Sequence, residues 1–144
     1  MDRLDKIDEQ IQKDTELTRD SDFVKANLDI PYLHHRYLMK YEAQYIVVTM
    51  LKNRKAKSYH ATMLYYSGKA SPDTYKERPL DYTILKSDLE TWINADEDYI
   101  YSCEQLTYAE SVLNLYKKTV DNIAGRSWII KNHIDLMKFE NAEY

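Results

Sequence analysis

The chain has 144 residues and a formal net charge of −4 at pH 7. This length fits one domain with a modest core and is too short for two. Only two glycines and three prolines are available for turns, whereas sheet proteins need a turn about every 8–12 residues. The composition therefore excludes an all-β fold and predicts an all-α domain of about five helices. Its 14 tyrosines suit helix interfaces that stay partly wet, and they suggest that another subunit completes some of the core.

Three absences bear on where the protein works. The lone Cys103 has no partner for an internal disulfide, which favours a reducing cytosolic setting. The first ten residues are charged and contain no apolar core, so they do not resemble a signal peptide. No apolar run reaches the roughly 18 residues that a membrane span requires. We expect a soluble intracellular protein.

The first half of the chain predicts two helices. An acidic helix is expected over residues 1–18, with apolar residues spaced along one face. After a break, Ser21 or Asp22 is placed to cap a long central helix over 23–67, which we expect to restart at Pro31 because proline belongs in a first turn. Gly68 fits the left-handed residue that ends a helix.

The second half predicts a linker and three further helices. Residues 68–80 are polar, contain two prolines and are interpreted as a linker. Helices follow over 82–123, first a short one from Tyr82 to Asn94 and then the most regular in the chain, whose start carries Asp96. A last helix over 126–140 has an apolar arc so wide that it needs either the previous helix or another chain as its partner.

The long helix carries a basic and aromatic strip. Between Ala43 and Pro72 there is no Asp or Glu, so this stretch creates a local positive potential inside an acidic chain. Cations along a backbone path, beside rings on which bases can stack, are the chemistry of single-strand binding. An ordinary solvated face, with its tyrosines packed on neighbouring helices, explains the same pattern and remains open. The candidate nucleic-acid-binding residues are Lys52, Arg54, Lys55, Lys57, Tyr59, His60, Tyr65, Tyr66 and Lys69.

The residues give no catalytic constellation. With two glycines there is no phosphate-cradling loop. His34 and His35 are adjacent and diverge on a helix, while Cys103 has no cysteine or histidine at zinc spacing. We therefore predict that the protein is not an enzyme and uses no metal or cofactor.

An ordered series of residues resembles the UvsY family, the recombination mediators of large tailed bacteriophages. The resemblance needs no gap from Lys86 to the C-terminus and extends back through about Tyr37 to Gly68. The residues that carry it are Tyr65, Tyr66, Ser67, Gly68, Lys69, Lys86, Ser87, Ala95, Asp96, Asp98, Asp121, Ile123, Arg126, Trp128, Ile130, Lys131, Asp135, Phe139 and Glu140.

The resemblance implies a role and an assembly. UvsY-like proteins bind single-stranded DNA covered by the phage single-strand-DNA-binding protein and load the phage recombinase onto it. They act as hexameric or heptameric rings held largely by C-terminal helices, which here points to Trp128, Ile130, Ile134, Met137 and Phe139. The implied setting is the cytoplasm of the infected bacterial host, in recombination, recombination-dependent replication and repair.

One position departs from the family. Members place a Lys-x-Arg pair just before Tyr-Tyr-Ser-Gly and use it for DNA binding, whereas this chain has His60 and Thr62 there. The cations upstream and Lys69 downstream bracket the same place.

Two other functions fit the composition. One is a non-enzymatic helical oligomer whose basic strip docks an acidic protein partner without binding DNA. The other is a small regulator of duplex DNA, which the lack of a helix-turn-helix with a glycine at its turn disfavours.

Overall fold

The computed structural model describes residues 2–142, apart from the side chain of Asp2, and these residues form helices without any strand. The predicted all-α fold and its long helix are confirmed. None of the helices in this described part is long and apolar enough to cross a membrane. The helices are α1 (Asp2–Thr15), α2 (Phe23–Tyr66), α3 (Pro72–Glu77), α4 (Leu89–Asn94), α5 (Glu97–Ala124) and α6 (Arg126–Ala142).

Helix α2 begins and ends where the local chemistry predicts, but it does not restart at Pro31. Its first turn is capped by Asp22, whose Oδ1 accepts the backbone N–H of Lys25 at 3.0 Å.

The helix passes through Pro31 without a break. Proline removes one backbone donor, but Ile30 and Leu33 on either side pack against a hydrophobic core and hold the helical path.

The stretch between α2 and α5 differs most from the sequence prediction. The expected linker contains α3, which has Pro72 at its start, where a missing N–H costs nothing. The helix expected from Tyr82 begins only at Leu89. Residues 79–85 are irregular because Leu80 and Ile84 pack against the buried tyrosines at the end of α2, and this burial outweighs the helical period of the sequence.

The chain divides into two compact units, and α2 and α5 each contribute a part to both. Unit 1 contains the residues up to Gln44 and those from Val112 onward. Its core is built on Ile11, Tyr37 and Ile123. The Tyr37 hydroxyl donates to Asp14 Oδ2 at 2.6 Å, so the polar tip of a buried ring has a partner.

Unit 2 is the segment from Tyr45 to Ser111, and its core is built on Tyr65, Tyr66 and Ile93. Within it, the end of α2 lies beside the start of α5, and Tyr59, earlier in α2, contacts Tyr99, later in α5. The two helix segments therefore run antiparallel in this unit. Their shared surface carries the residues considered below.

Candidate nucleic-acid interface

The last turn of α2 determines where the basic strip ends at its C-terminal side. Gly68 has φ 76°, a left-handed conformation that costs glycine little. The backbone N–H of Lys69 then donates to the carbonyl of Leu64 at 2.9 Å and closes the turn. Lys69 is left exposed just beyond the helix end.

The paired tyrosines before this turn are core residues, which corrects their proposed role as stacking platforms. Tyr65 is 6% exposed and Tyr66 is 7% exposed. The Tyr65 hydroxyl donates to the carbonyl of Arg78 at 3.1 Å, and its ring stacks on Tyr75 with centroids 5.4 Å apart. Rings enclosed in this way cannot receive a base, so the prediction that these two tyrosines stack on bases is wrong for the folded chain. Their packing agrees with the alternative interpretation, in which the tyrosines of this helix pack on neighbouring elements.

A buried carboxylate organises the same region. Asp96 Oδ1 accepts the backbone N–H groups of Asp98 at 3.0 Å and Tyr99 at 3.1 Å, and so caps α5. Its Oδ2 accepts the Tyr66 hydroxyl at 2.9 Å and the Arg78 guanidinium at 3.0 Å. Burial alone would raise the pKa of Asp96, but these hydrogen bonds and the charge of Arg78 together hold the pKa below its usual value. The Asp96 carboxylate is therefore structural.

The predicted cations stay available to a partner. Lys52, Arg54 and Lys57 are exposed and Lys55 is half-buried. No ion pair within the described residues involves any of these four. The acid-free stretch of α2 thus keeps its positive charge unneutralised.

These cations occupy two sides of α2. Lys52, Lys55 and Tyr59 are three, four and seven residues apart and share one face. Arg54 and Lys57 lie on the other side, because two residues turn a helix by about 200°. The strip that the sequence presented as continuous therefore consists of one face with two lysines and a tyrosine, and a second face that carries Arg54 and Lys57.

The departure from the family pattern has a structural explanation at one of its two positions. His60 is exposed, but Thr62 is 7% exposed and belongs to the buried side of α2. A cation at position 62 of this chain would have to be desolvated. The positive charge of α2 is carried instead by the helical turns before position 62, which contain Lys52, Arg54, Lys55 and Lys57.

Lys52, Lys55 and Tyr59 open onto a pocket that the sequence did not reveal. The cavity has a volume of about 620 Å³ and lies between α2 and α5 inside unit 2. Tyr59 and Tyr99 meet edge to face in its wall, with centroids 5.6 Å apart and ring planes at 67°. Its lining residues are Lys52, Lys55, Ala56, Tyr59, Tyr99, Leu106 and Glu110.

Tyr99 was missed because it is forty residues from Tyr59 in the chain. The signal that could have found it is the spacing of Tyr99, Leu106 and Glu110, which puts all three on one side of α5. Cys103 lies one helical turn after Tyr99 in α5. Its thiol, together with burial, raises the pKa of Tyr99.

The predicted oligomerisation residues separate into exposed and internal ones. Trp128 and Phe139 are 69% and 62% exposed, whereas Ile130 is 3% exposed and belongs to unit 1 itself. Ile134 and Met137 are half-buried. Ile130 and Ile134 line a groove between α6 and the start of α2, so the predicted stripe finds part of its partner inside the chain. For Ile130 the assignment to a subunit contact is wrong.

The sequence prediction overlooked two exposed apolar residues of α6. Ile129 and Leu136 are 58% and 51% exposed. With Trp128 and Phe139 they form an apolar surface on α6 that is more than half exposed among the described residues, and this set replaces Ile130 as the candidate subunit contact.

No group of three or more His, Cys, Asp or Glu side chains within residues 2–142 is arranged to hold a metal ion. Fold and surface together define an all-helical protein with a cationic, tyrosine-lined face. The family model described as "Recombination, repair and ssDNA binding protein UvsY" matches residues 5–143. The chain belongs to the UvsY family.

Solved structures agree on the fold. The chain is similar to the recombination mediator protein UvsY of bacteriophage T4 in its lattice type II crystal, with a TM-score of 0.81, 22% identity, and coverage of 96% of this chain and 97% of that one. Lattice type IV gives a TM-score of 0.76 at 20% identity, covering 95% and 98%. Lattice type I gives 0.76 at 22% identity, covering 94% and 98%. No curated protein sequence matches the chain significantly.

Proposed function

We propose that the protein is a recombination mediator that binds single-stranded DNA and helps to load a recombinase onto strands covered by single-strand-binding protein. The carrying observation is the acid-free half of α2, whose cations are free of ion pairs with the described residues. The family description and the fold shared with a phage mediator support the assignment. The phage recombinase and single-strand-DNA-binding protein are the proposed partners, and the cytoplasm of the infected bacterial host is the proposed setting.

The mechanism follows from weak contacts used many times. Each subunit offers a few solvent-screened cations, and a hexameric or heptameric ring multiplies them through effective concentration. A strand held this way stays bound while individual contacts exchange. The ring then favours the recombinase only if it binds the strand geometry of the recombinase filament more tightly than that of the coat protein, since differential affinity is what shifts an equilibrium. This role needs no catalytic group.

Salt dependence tests the DNA contact directly. Each phosphate contact to a single strand contributes about 0.7 to the slope of log affinity against log salt. Replacing the four α2 cations with alanine should weaken binding and lower the slope by up to about 3 per subunit. The replaced residues are Lys52, Arg54, Lys55 and Lys57.

The matched control replaces Lys117 and Lys118, two exposed lysines of α5 that belong to unit 1. Replacing this pair with alanine should leave the slope of log affinity against log salt concentration nearly unchanged. If the α2 variant keeps the wild-type affinity and slope, the strip is not the DNA contact. If the wild-type protein binds no single strand even at low salt but binds an acidic protein, it is a docking oligomer.

We further propose that the exposed apolar surface of α6 holds the ring together. Replacing Trp128 and Phe139 with serine should give smaller species in sedimentation velocity while the helical circular dichroism signal is kept, because both side chains are exposed in the chain itself. Ile130→Asp is the contrasting variant, since it would bury a charge in unit 1 and unfold it. A Trp128 and Phe139 double variant that still sediments as the wild-type assembly would remove α6 as the subunit contact.

A further inference from the structure

We infer that the pocket lined by Tyr59 and Tyr99 is a nucleobase subsite, which takes one unpaired base of the strand whose phosphates lie along the α2 lysines. The inference rests on the proposed function, since it assumes that the strand runs over this face. The cations of α2 would contact only the phosphates of the strand, whereas the tyrosines of this pocket would contact a base.

The shape of the pocket fits a planar heterocycle better than a bare phosphate. At about 620 Å³ it lies in the range of ordinary ligand pockets, roughly 300–1,000 Å³. Ala56 stands between the lysines and Tyr59 on the same face of α2, and its short side chain leaves the space open. Leu106 is buried and gives the pocket an apolar floor.

The two rings are placed to receive a base. Tyr59 is 38% exposed and Tyr99 is half-buried, in contrast with the enclosed Tyr65 and Tyr66. Tyr99 packs edge to face against Tyr59, so this contact restricts its orientation before a ligand arrives. A ring restricted in this way loses little conformational freedom on stacking.

Charges around the rings complete the subsite. Lys52 and Lys55 line the same pocket as the rings, so cations for the flanking phosphates lie beside the place for the base. Glu110 also lines it and can accept a hydrogen bond from a base N–H group, such as the ring N3–H of thymine. An aromatic face beside cations is the arrangement that binds single strands without reading their sequence.

The test compares a fluorescein-labelled oligothymidylate with an abasic oligomer of the same length and phosphate count, at one salt concentration, by anisotropy. Stacking of one base corresponds to about a 5-fold to 150-fold gain in affinity. The wild-type protein should prefer the oligothymidylate by at least about fivefold. Tyr99→Leu should remove this preference and leave the affinity for the abasic oligomer unchanged, whereas Tyr99→Phe should keep it.

Tyr101→Leu is the matched control, because Tyr101 is a 63% exposed tyrosine of the same helix that does not line the pocket. It should behave as wild type. Equal loss in the Tyr101 and Tyr99 leucine variants would overturn the assignment of the pocket. Equal wild-type affinity for both oligomers, which needs no variant to fold, would overturn the subsite and leave electrostatic DNA binding standing. Binding to neither oligomer would overturn the proposed function and the subsite with it.

Discussion

Replacing Asp96 with asparagine should destabilise unit 2 while leaving the cap of α5 in place. The side chain of Asp96 is 1% exposed and its two oxygens do different work. Oδ1 accepts two backbone N–H groups at the start of α5, and asparagine caps a helix about as well as aspartate. Oδ2 accepts from Tyr66 and Arg78, and an amide NH2 in its place offers both of them a donor instead of an acceptor.

The expected loss follows from those two contacts. The buried Tyr66 hydroxyl would lose the acceptor for its proton and keep only the bond that it accepts from Arg78 Nη2 at 3.0 Å, and a buried donor left without an acceptor costs about 1–3 kcal/mol. The Arg78 side chain is 52% exposed, so water replaces much of its interaction and its share is about 1 kcal/mol or less. Asp96→Asn should therefore lower the free energy of unfolding by about 1–4 kcal/mol.

The two tryptophans make the assay specific, because Trp92 belongs to unit 2 and Trp128 to unit 1. The Trp92 ring lies 5.8 Å from that of Tyr66. In a Trp128→Phe background, urea unfolding followed by Trp92 fluorescence at fixed protein concentration should show the midpoint falling by about 0.5–2 M, given an m-value of about 2 kcal/mol per M.

Asp98→Asn is the control, since its exposed side chain lies in the same turn. We expect it to change the free energy of unfolding by less than about 0.5 kcal/mol. The reasoning is refuted if Asp96→Asn is as stable as this control.

Three further predictions concern stability. Gly68→Ala should cost about 1–2 kcal/mol in urea unfolding, because φ 76° strains a residue with a Cβ even though no atom lies within 4 Å of it; an unchanged midpoint would show that the turn relaxes freely. Burial raises the pKa of Asp14 and of Asp96, but their hydrogen bonds and the nearby cations outweigh it and hold both pKa values below the ordinary value of an aspartate. Both carboxylates therefore stabilise the fold above that ordinary pKa, and this contribution is lost as the pH falls through the folded pKa values. Urea midpoints should accordingly fall between pH 5 and pH 2.5, and a flat profile would contradict the assignment. Tyr37→Phe should cost about 1 kcal/mol at pH 7 and reduce that acid dependence, which the same titration measures against wild type.

Local chemistry explains what could be predicted from the sequence. Asp22 caps α2 and Gly68 ends it because each provides what a helix end lacks, a side-chain acceptor and a left-handed residue. The all-α fold followed from the scarcity of turn residues. These features depend on neighbours within a few residues.

What failed depends on partners remote in the chain. Tyr65 and Tyr59 are indistinguishable as tyrosines of a basic helix, and only Arg78, Tyr75 and Tyr99 decide which ring is enclosed and which is open. The helix expected from Tyr82 was likewise displaced by burial of apolar side chains against the end of α2.

For Ile130 the apolar spacing in the sequence was predicted correctly, but spacing alone could not show that the residue is covered by its own chain. A regular apolar stripe shows that a face is covered but not by which chain. The start of α2, with Phe23 and Val24 in the same groove, supplies the cover for Ile130.

The burial of Tyr65 and Tyr66 separates two kinds of constraint along one helix. The inner side must keep its volume and its hydroxyl partners, so a change there alters the fold. Under the proposed function, the exposed cations of the outer side contribute through their summed charge, because a polyanion with regularly spaced phosphates accepts a lysine on one turn as readily as on the next. A cation lost near His60 can therefore be regained at Lys52 or Lys57 with no structural adjustment. On this proposal, affinity for a strand depends on the total charge of the exposed side, whereas the Tyr-Tyr-Ser-Gly turn depends on fixed positions.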